Sequence, residues 1–440
     1  MGKSKYNQEN TSIPTKKLSR LLGIGGMTVG IAGNVFFSAS KKFLNGEKPN
    51  LKDLLITQGN LLRFTKQLLE MRGAALKVGQ LLSLESGDFL PSEMVEILAS
   101  LRNHAHAMPS TQLKQVLVSS WGHDYMKHFE FFQETPLAAA SIGQVHKCMN
   151  KNGGVLAIKV QYPGVKESID SDMDALGFIL DKSGLIPPSI DFPELIKAGR
   201  EQLHRETDYG QEARHLDMFF KLMAGDKCFE VPRINQEFTT DKTLAMEFKE
   251  GVTIDQIVSA NYNVKNKAVL NLIDLFFREL FEFNLIQSDP NYANFLFNEK
   301  NGKIILLDFG ATISVSSDTL AKFKALFNKT LGQDKKSVEN AMYELGILDK
   351  GLPNHILNEL TDIYWDSTEP IRKNKMFDFG NSNILERMQE LSSEIIIHRK
   401  KIKIPPFDIL SIQRKIGGIF LLARRFEAKI NLNKIFEKYI

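Results

Sequence analysis

The sequence predicts an α+β chain in which a small β-containing lobe is followed by a larger helical lobe. Three observations carry that reading. Strand-like pattern from Phe129 to Val160 stands between helical runs, and shorter strand-like pieces recur at Val231–Lys249, Phe295–Phe297 and Lys303–Leu307. From Asp318 to Ile440 the spacing of apolar residues is mostly helical. The chain of 440 residues has room for about two to three domains. With 43% hydrophobic and 25% charged residues it is neither disordered nor fibrous. Lys+Arg 56 against Asp+Glu 52 leaves a net charge of +4, too slight a surplus for a dedicated nucleic-acid binder. Cys148 and Cys228 stand far apart without a CxxC, which excludes a disulfide framework and points to a reducing compartment.

In chain order, residues 21–40 are uncharged and bracketed by Lys16, Lys17, Arg20, Lys41 and Lys42. A helix of that length spans about 30 Å, close to the hydrocarbon thickness of a bilayer. Five glycines make the stretch only moderately apolar, and Gly26 and Gly30 form a small-xxx-small spacing suited to helix pairing. It is read as a membrane-associated helix, with a soluble packing helix and a targeting segment as the other readings; its pairing surface would make a homodimer. Leucines at 54, 55, 61, 62, 68 and 69 begin a helical extension punctuated by Pro91 and Pro109. The expected divisions are 1–45 as the basic N-terminal segment and 46–128 as the helical extension. The β-containing lobe follows at 129–250 and the helical lobe at 251–440.

Chemistry concentrates in three segments. Leu156-Ala157-Ile158-Lys159 sets one lysine in an otherwise apolar strand, where an ammonium needs a carboxylate or phosphate partner. In the loop Gln287–Asn294, Asp289 and Asn294 have the Asp-x4-Asn spacing of a kinase catalytic loop. Leu306-Leu307-Asp308-Phe309-Gly310 ends an apolar strand with a hard carboxylate beside a turn-permitting glycine, as a kinase presents a Mg²⁺ ligand. Each alone has a bland reading: a snorkelling strand-end lysine, an Asp-Pro turn, a chance tripeptide. Their order along the chain is that of a protein kinase, so a bilobed protein-kinase-like fold is expected. Two departures matter. No GxGxxG precedes Lys159; Ala138-Ala139-Ala140-Ser141 stands there instead, and alanine restricts the positive-φ conformations open to glycine. Neither His-Arg-Asp nor Ala-Pro-Glu is present, so docking of a protein substrate has no support.

At these residues the chain resembles the UbiB, or ADCK, family of atypical kinases associated with ubiquinone biosynthesis. The matching segments are Lys77-Val78-Gly79-Gln80 (KxGQ), AAASIGQVH, LAIKVQYPGV, Glu206-Thr207-Asp208 (ExD), QSDPNYAN and LLDFGAT, over roughly residues 50–440. The resemblance implies ATP and Mg²⁺ as cofactors. Lys159 would contact the nucleotide phosphates, Asp289 would be the catalytic aspartate, and Asn294 and Asp308 would hold the metal. Ala138, Ala139, Ala140 and Ser141 would cover the nucleotide, and Met246, Glu247, Phe248 and Lys249 would form the hinge facing adenine. Lys77 and Gln80 would lie across the active site with Glu206 and Asp208 fixing Lys77, an inhibitory arrangement that keeps peptides out. Arg200–His215 is read as one helix, in which Asp208 and Glu212 share a face and Glu206 lies about 240° from Glu212. On that basis Glu212 is favoured for Lys159 and Glu206 for Lys77.

The leading functional expectation is an ATP-binding, Mg²⁺-dependent atypical kinase or ATPase at a membrane surface, supporting prenylated-quinone biosynthesis. A pseudokinase-like scaffold switched by ATP and a small-molecule phosphotransferase are the alternatives; the latter leaves the KxGQ and alanine segments unexplained. Partners beyond ATP are anionic lipid, met by basic tracts such as Lys335-Lys336 and Arg424-Arg425, and prenylated-quinone intermediates or biosynthetic enzymes. His104, His106, His123 and His128 lack metal-ligand spacing. The compartment expected is a bacterial cytoplasm at the inner-membrane face, with the mitochondrial matrix side of the inner membrane as the alternative.

Overall fold

Apolar alternation builds the first sheet. The structure, a computed structural model, describes residues 71, 73–75, 77–79, 108–183, 192–332, 334–398 and 405–439. They divide into two compact units: the described residues up to Gln211 with Ile234–Phe248, and Glu212–Arg233 with Lys249 onward. Residues 21–40 and Gln80 lie outside the described residues. Among the described residues no helix is long and apolar enough to cross a membrane.

The first unit holds β1 (Phe129–Phe132), β2 (Ala138–Ala139), β3 (Gly143–Asn150) and β4 (Val155–Gln161). Strand β5 (Phe229–Glu230) belongs to the second unit, and β6 (Thr243–Glu247) returns to the first. The sheet runs β1-β3-β4-β6, with β2 also on β3, and all its pairings are antiparallel. In β4, Leu156, Ile158 and Val160 are buried while Ala157 and Lys159 point to the opposite face. The apparent oddity of a lysine in an apolar run is therefore resolved by period-two geometry. Helix α1 (Ser110–Trp121) covers the buried face with Leu113, Val116 and Leu117. Trp121 closes that core edge-on to Phe238 at 5.4 Å. Helices α2 (Val165–Ser183) and α3 (Phe192–Glu206) pack together where Gly177 meets Ile196.

Helix α4 (Tyr209–Leu222) follows α3 after a break, which corrects the expectation of one helix through His215. Thr207 folds its hydroxyl back onto the His204 carbonyl at 2.9 Å, and Asp208 accepts the Gln211 amide at 2.8 Å. Asp208 is thus a capping residue, competing with helix continuation through its own short side chain. The common helical wheel for Glu206, Asp208 and Glu212 does not apply.

In the second unit, β7 (Val252–Thr253), β9 (Phe295–Phe297) and β10 (Ile304–Leu306) join β5 in the order β5-β10-β9-β7, while β8 (Leu285–Gln287) pairs with β11 (Thr312–Ser314). Between β7 and β8 come a 3₁₀ turn, Ile254–Ser259, then α5 (Tyr262–Arg278) and a π-helical turn, Glu279–Phe283. Asn261 caps α5 by accepting the Val264 amide at 3.0 Å, and Asn284 stops the run in the left-handed region at φ 55°. Asp226 then ties β5 to α5: it accepts the amides of Cys228 and Phe229 and the Arg278 guanidinium, the last at 2.6 Å. Helices α6 (Ser317–Leu331), α7 (Lys335–Glu344), α8 (Asn354–Ser367), α9 (Ile384–His398) and α10 (Phe407–Arg425) follow in the unit, with a short strand pair, Phe377–Asp378 on Lys429–Ile430. Phe277 of α5 sits among Phe327, Phe436 and Tyr439 at its centre. In the basic tracts, Lys335 pairs with Asp362 and Arg424 with Glu386, so part of their charge is neutralised by neighbours.

Candidate active site

One face of the first unit's sheet gathers the residues expected to meet a nucleotide. Directly opposed residues of a sheet share a face, so Ala138, Val145, Lys159 and Leu244 form one row, and Lys147, Ala157 and Met246 the next. Val145, Ala157 and Leu244 were not singled out from the sequence; the two-residue period counted from Lys159 would have found Ala157. Lys159 is half-buried in this row. Glu247 ends β6, Phe248 donates its amide to the Val155 carbonyl at 2.9 Å, and the chain passes into the second unit at Lys249. Lys147 lies over the Phe248 ring at 4.1 Å.

The alanine segment is a tight hairpin. Ala138 and Ala139 pair with Val145 and Gln144, and the Ala140 amide reaches the Gly143 carbonyl at 2.8 Å across Ser141-Ile142. None of its residues takes a positive φ, which is why alanine is tolerated. Gly143 is needed for a different reason: a Cβ there would lie 2.4 Å from the Val160 carbonyl oxygen. The segment containing Lys77 seats against the turn, since a Cβ on Gly73 would lie 2.8 Å from the Ser141 carbonyl oxygen. Lys77, buried, forms an ion pair with Glu206, whose second carboxylate oxygen accepts the Ser141 hydroxyl at 3.0 Å. Helix α3, the Lys77 segment and the alanine hairpin therefore meet at one carboxylate. Asp208 is exposed and engaged in its cap, so Glu206 alone of the two ExD acids takes Lys77.

Behind the hairpin, Gln144 and His146 form a buried relay. Met108 donates its amide to Gln144 Oε1 at 2.9 Å, which makes Gln144 Nε2 the donor to His146 Nε2 at 2.8 Å. The His146 proton then resides on Nδ1 and is donated to the Gln133 carbonyl at 2.8 Å. Burial pulls the His146 pKa below its ordinary value, outweighing the Gln133 bond, so the ring is neutral. These two residues of the AAASIGQVH segment are thus scaffold.

In the second unit, two hairpins bring the carboxylates and the amide together. Pairing of β8 with β11 sets Gln287 opposite Thr312, and Ser288 donates both amide and hydroxyl to the Ala311 carbonyl. Pairing of β9 with β10 sets Phe295 opposite Leu306, and the Leu307 amide reaches the Asn294 carbonyl at 3.0 Å. The Asp289 loop, Asn294 and Asp308 are consequently held by the same backbone. Asp289 Oδ2 accepts Asn294 Nδ2 at 2.8 Å, and its Oδ1 accepts the Asn291 amide at 3.2 Å. Asp308 Oδ1 accepts the Gly310 amide at 3.0 Å. A Cβ on Gly310 would stand 3.4 Å from Asp308 Oδ1 and 3.5 Å from Glu212 Oε2, so the glycine keeps open the space between two carboxylates. Phe309 is fully buried against Phe219 at 4.7 Å, and its carbonyl meets His215 Nδ1 at 3.3 Å. Glu212, His215 and Phe219 share one face of α4 at helical spacing, a signal that would have found the last two.

Asn294 and Asp308 are hard oxygen donors of the kind Mg²⁺ takes, and Asn294 spends its amide nitrogen on Asp289, turning its carbonyl oxygen the other way. Two protein donors suit Mg²⁺, which fills its remaining positions with waters and phosphates. The residues present fit the ion.

The ABC1 atypical kinase-like domain matches residues 100–342. Saccharomyces cerevisiae atypical kinase COQ8, mitochondrial, is 36% identical over 98% of this chain and 86% of its own length. Rattus norvegicus atypical kinase COQ8B, mitochondrial, is 32% identical over 97% of this chain and 80% of its own. A solved structure of Rv3197 from Mycobacterium tuberculosis shares the fold, with a TM-score of 0.61 at 23% identity, covering 88% of this chain and 97% of that one.

Proposed function

The chain belongs to the ABC1 atypical kinase family, the UbiB group that includes the COQ8 proteins, and from that premise we propose that it binds ATP with Mg²⁺ and catalyses phosphoryl transfer or ATP hydrolysis. The observation that carries the reading is the joint anchoring of Asp289, Asn294 and Asp308 by the β8–β11 and β9–β10 hairpins. Asp289, oriented by Asn294 and the Asn291 amide, takes the proton of the attacking hydroxyl or water. Lys159 balances phosphate charge from the face it shares with Ala138 and Val145, where adenine-side contacts come from Ala157 and Met246. Asn294 and Asp308 would hold the Mg²⁺, which neutralises charge on the transferring phosphates when bound. Glu212 adds a carboxylate beside Gly310 and Asp308.

The anchoring of the Ser141 turn by Lys77 and Glu206 supports a nucleotide site whose covering loop is held by the KxGQ segment, a brake on peptide phosphorylation. Prenylated-quinone biosynthesis is the process proposed, on the strength of the UbiB resemblance. The curated relatives carry "mitochondrial" in their names, which supports the mitochondrial matrix side over the bacterial inner-membrane face expected first. Association with anionic lipid and quinone intermediates is part of the same proposal. Thermal-shift titration of the full chain with MgADP and MgATP tests it. Stabilisation should be lost in Lys159→Ala and Asp308→Asn; equal stabilisation of both variants and the wild type would overturn the assignment.

A further inference from the structure

Helix α10 lies beyond the residues matched by the kinase-like domain, yet it meets the Asp289 loop directly. Gly418, in the middle of α10, is pressed against Pro290: a Cβ on Gly418 would lie 2.4 Å from the Pro290 Cβ, a separation real side chains do not show. Tyr292, on the other side of Asn291, donates its hydroxyl to the Gly418 carbonyl at 3.2 Å. Asp289, Pro290, Tyr292, Lys415 and Gly418 line one small cavity. One turn before Gly418, Lys415 forms a fully buried ion pair with Glu279, the first residue of the π-helical turn that leads into β8 and then Asp289.

We propose that Lys415 and Gly418 are positioning residues for Asp289, a role that rests on the kinase reading of that aspartate. Lys415 and Gly418 are three residues apart and share a face of the helix. A buried ion pair is costly to desolvate and gives little net stability, but it is specific: sliding α10 by a residue would separate the charges inside the protein. That fixes the helix register at which a residue without a side chain arrives opposite Pro290. A register that brought Ile416 or Ile419 opposite Pro290 would present a side chain there and displace the loop. The neighbouring Gly417 has nothing within 4 Å of its Cβ position, so the tight approach is particular to position 418.

The test uses the full chain and two readouts. Hydrogen exchange of the Leu285–Phe297 stretch is measured without nucleotide, and MgATP turnover is measured separately. Gly418→Ala should raise exchange in the Asp289–Asn294 loop by about tenfold. It should also lower kcat by about tenfold or more with KM for ATP little changed, as expected when a catalytic group is misplaced by a fraction of an ångström. In a Pro290→Gly background, where the opposing Cβ is gone, Gly418→Ala should add nothing further. A purely structural role would give the same loss in both backgrounds and overturns the proposal, as does wild-type loop exchange in Gly418→Ala. If Gly418→Ala does not fold, Tyr292→Phe, which removes only the hydroxyl bond to Gly418, replaces it: raised loop exchange supports the proposal and unchanged exchange overturns it. Wild-type protein lacking turnover while its loop responds would sink the kinase reading and leave the α10-to-loop coupling standing.

Discussion

His146 shows how a single side chain in a signature segment can serve the scaffold. Its neutral ring accepts from Gln144 and donates to Gln133, so protonation would set a second N–H against the Gln144 amide group. A histidine whose folded pKa is lowered binds a proton more readily when unfolded, so its contribution is complete above the unfolded value of about 6.5 and is lost as pH falls below it. The midpoint of thermal unfolding should therefore drop between pH 7.5 and pH 5.5, and His146→Gln should flatten that slope. An identical slope in the variant would assign the effect to other groups. Lys77 is a second residue-scale case. Removing its ammonium in Lys77→Met leaves the half-buried Glu206, among the described residues, with the Ser141 hydroxyl and should cost about 1.5–3 kcal/mol. Exchange at Ala138–Ile142 should rise in that variant; protection at the wild-type level would mean the hairpin tip is held by other contacts.

At the scale of elements, the division between α3 and α4 depends on a cap. Asp208→Ala should cost about 1 kcal/mol, with Asp208→Asn nearly neutral, measured by urea unfolding. Equal losses in both would assign the cost to charge and not to the cap bond. The Glu279–Lys415 pair joins α10 to the π-helical turn, and Lys415→Met should cost about 3–5 kcal/mol because a buried carboxylate loses its cation. Burial already raises the Glu279 pKa to about 7 against the pull of Lys415, and removing the lysine raises it further. A folded carboxyl that keeps its proton above its unfolded pKa loses stability as pH rises, so the variant should be weaker at pH 8 than at pH 5. The reverse order would show that Glu279 stays ionised without Lys415.

These elements also show what a sequence can and cannot disclose. Strand β4, the β9–β10 hairpin and the Asp289 loop were legible because short apolar runs and Asp-Pro punctuation are local signals, whereas the three-residue strand β8 was not singled out. The α3–α4 break was not, since apolar helical spacing continues across Thr207-Asp208 and only the cap bond reveals the stop. Glu279 and Lys415 lie far apart in the chain with no local signature, so their pairing emerges only from packing. Asp289, Asn294 and Asp308 were recognisable by order and spacing, whereas Gly418 reads as an ordinary helix glycine until Pro290 is seen against it.

For the whole molecule, the proposal is that these groups, on an ABC1-family chain, carry out nucleotide chemistry that depends on a divalent ion. Glu212, Asp308 and Asp289 supply negative charge, and phosphates would be repelled there without a cation to bridge them. Calorimetric titration of ATP into the full chain, with Mg²⁺ and again after EDTA, tests this most directly. Binding heat should be present with Mg²⁺, strongly reduced after EDTA, and strongly reduced in Asp308→Asn even with Mg²⁺. Equal heats in all three conditions, or no heat from wild-type protein with Mg²⁺, would contradict a metal-dependent nucleotide site at Asp289, Asn294 and Asp308.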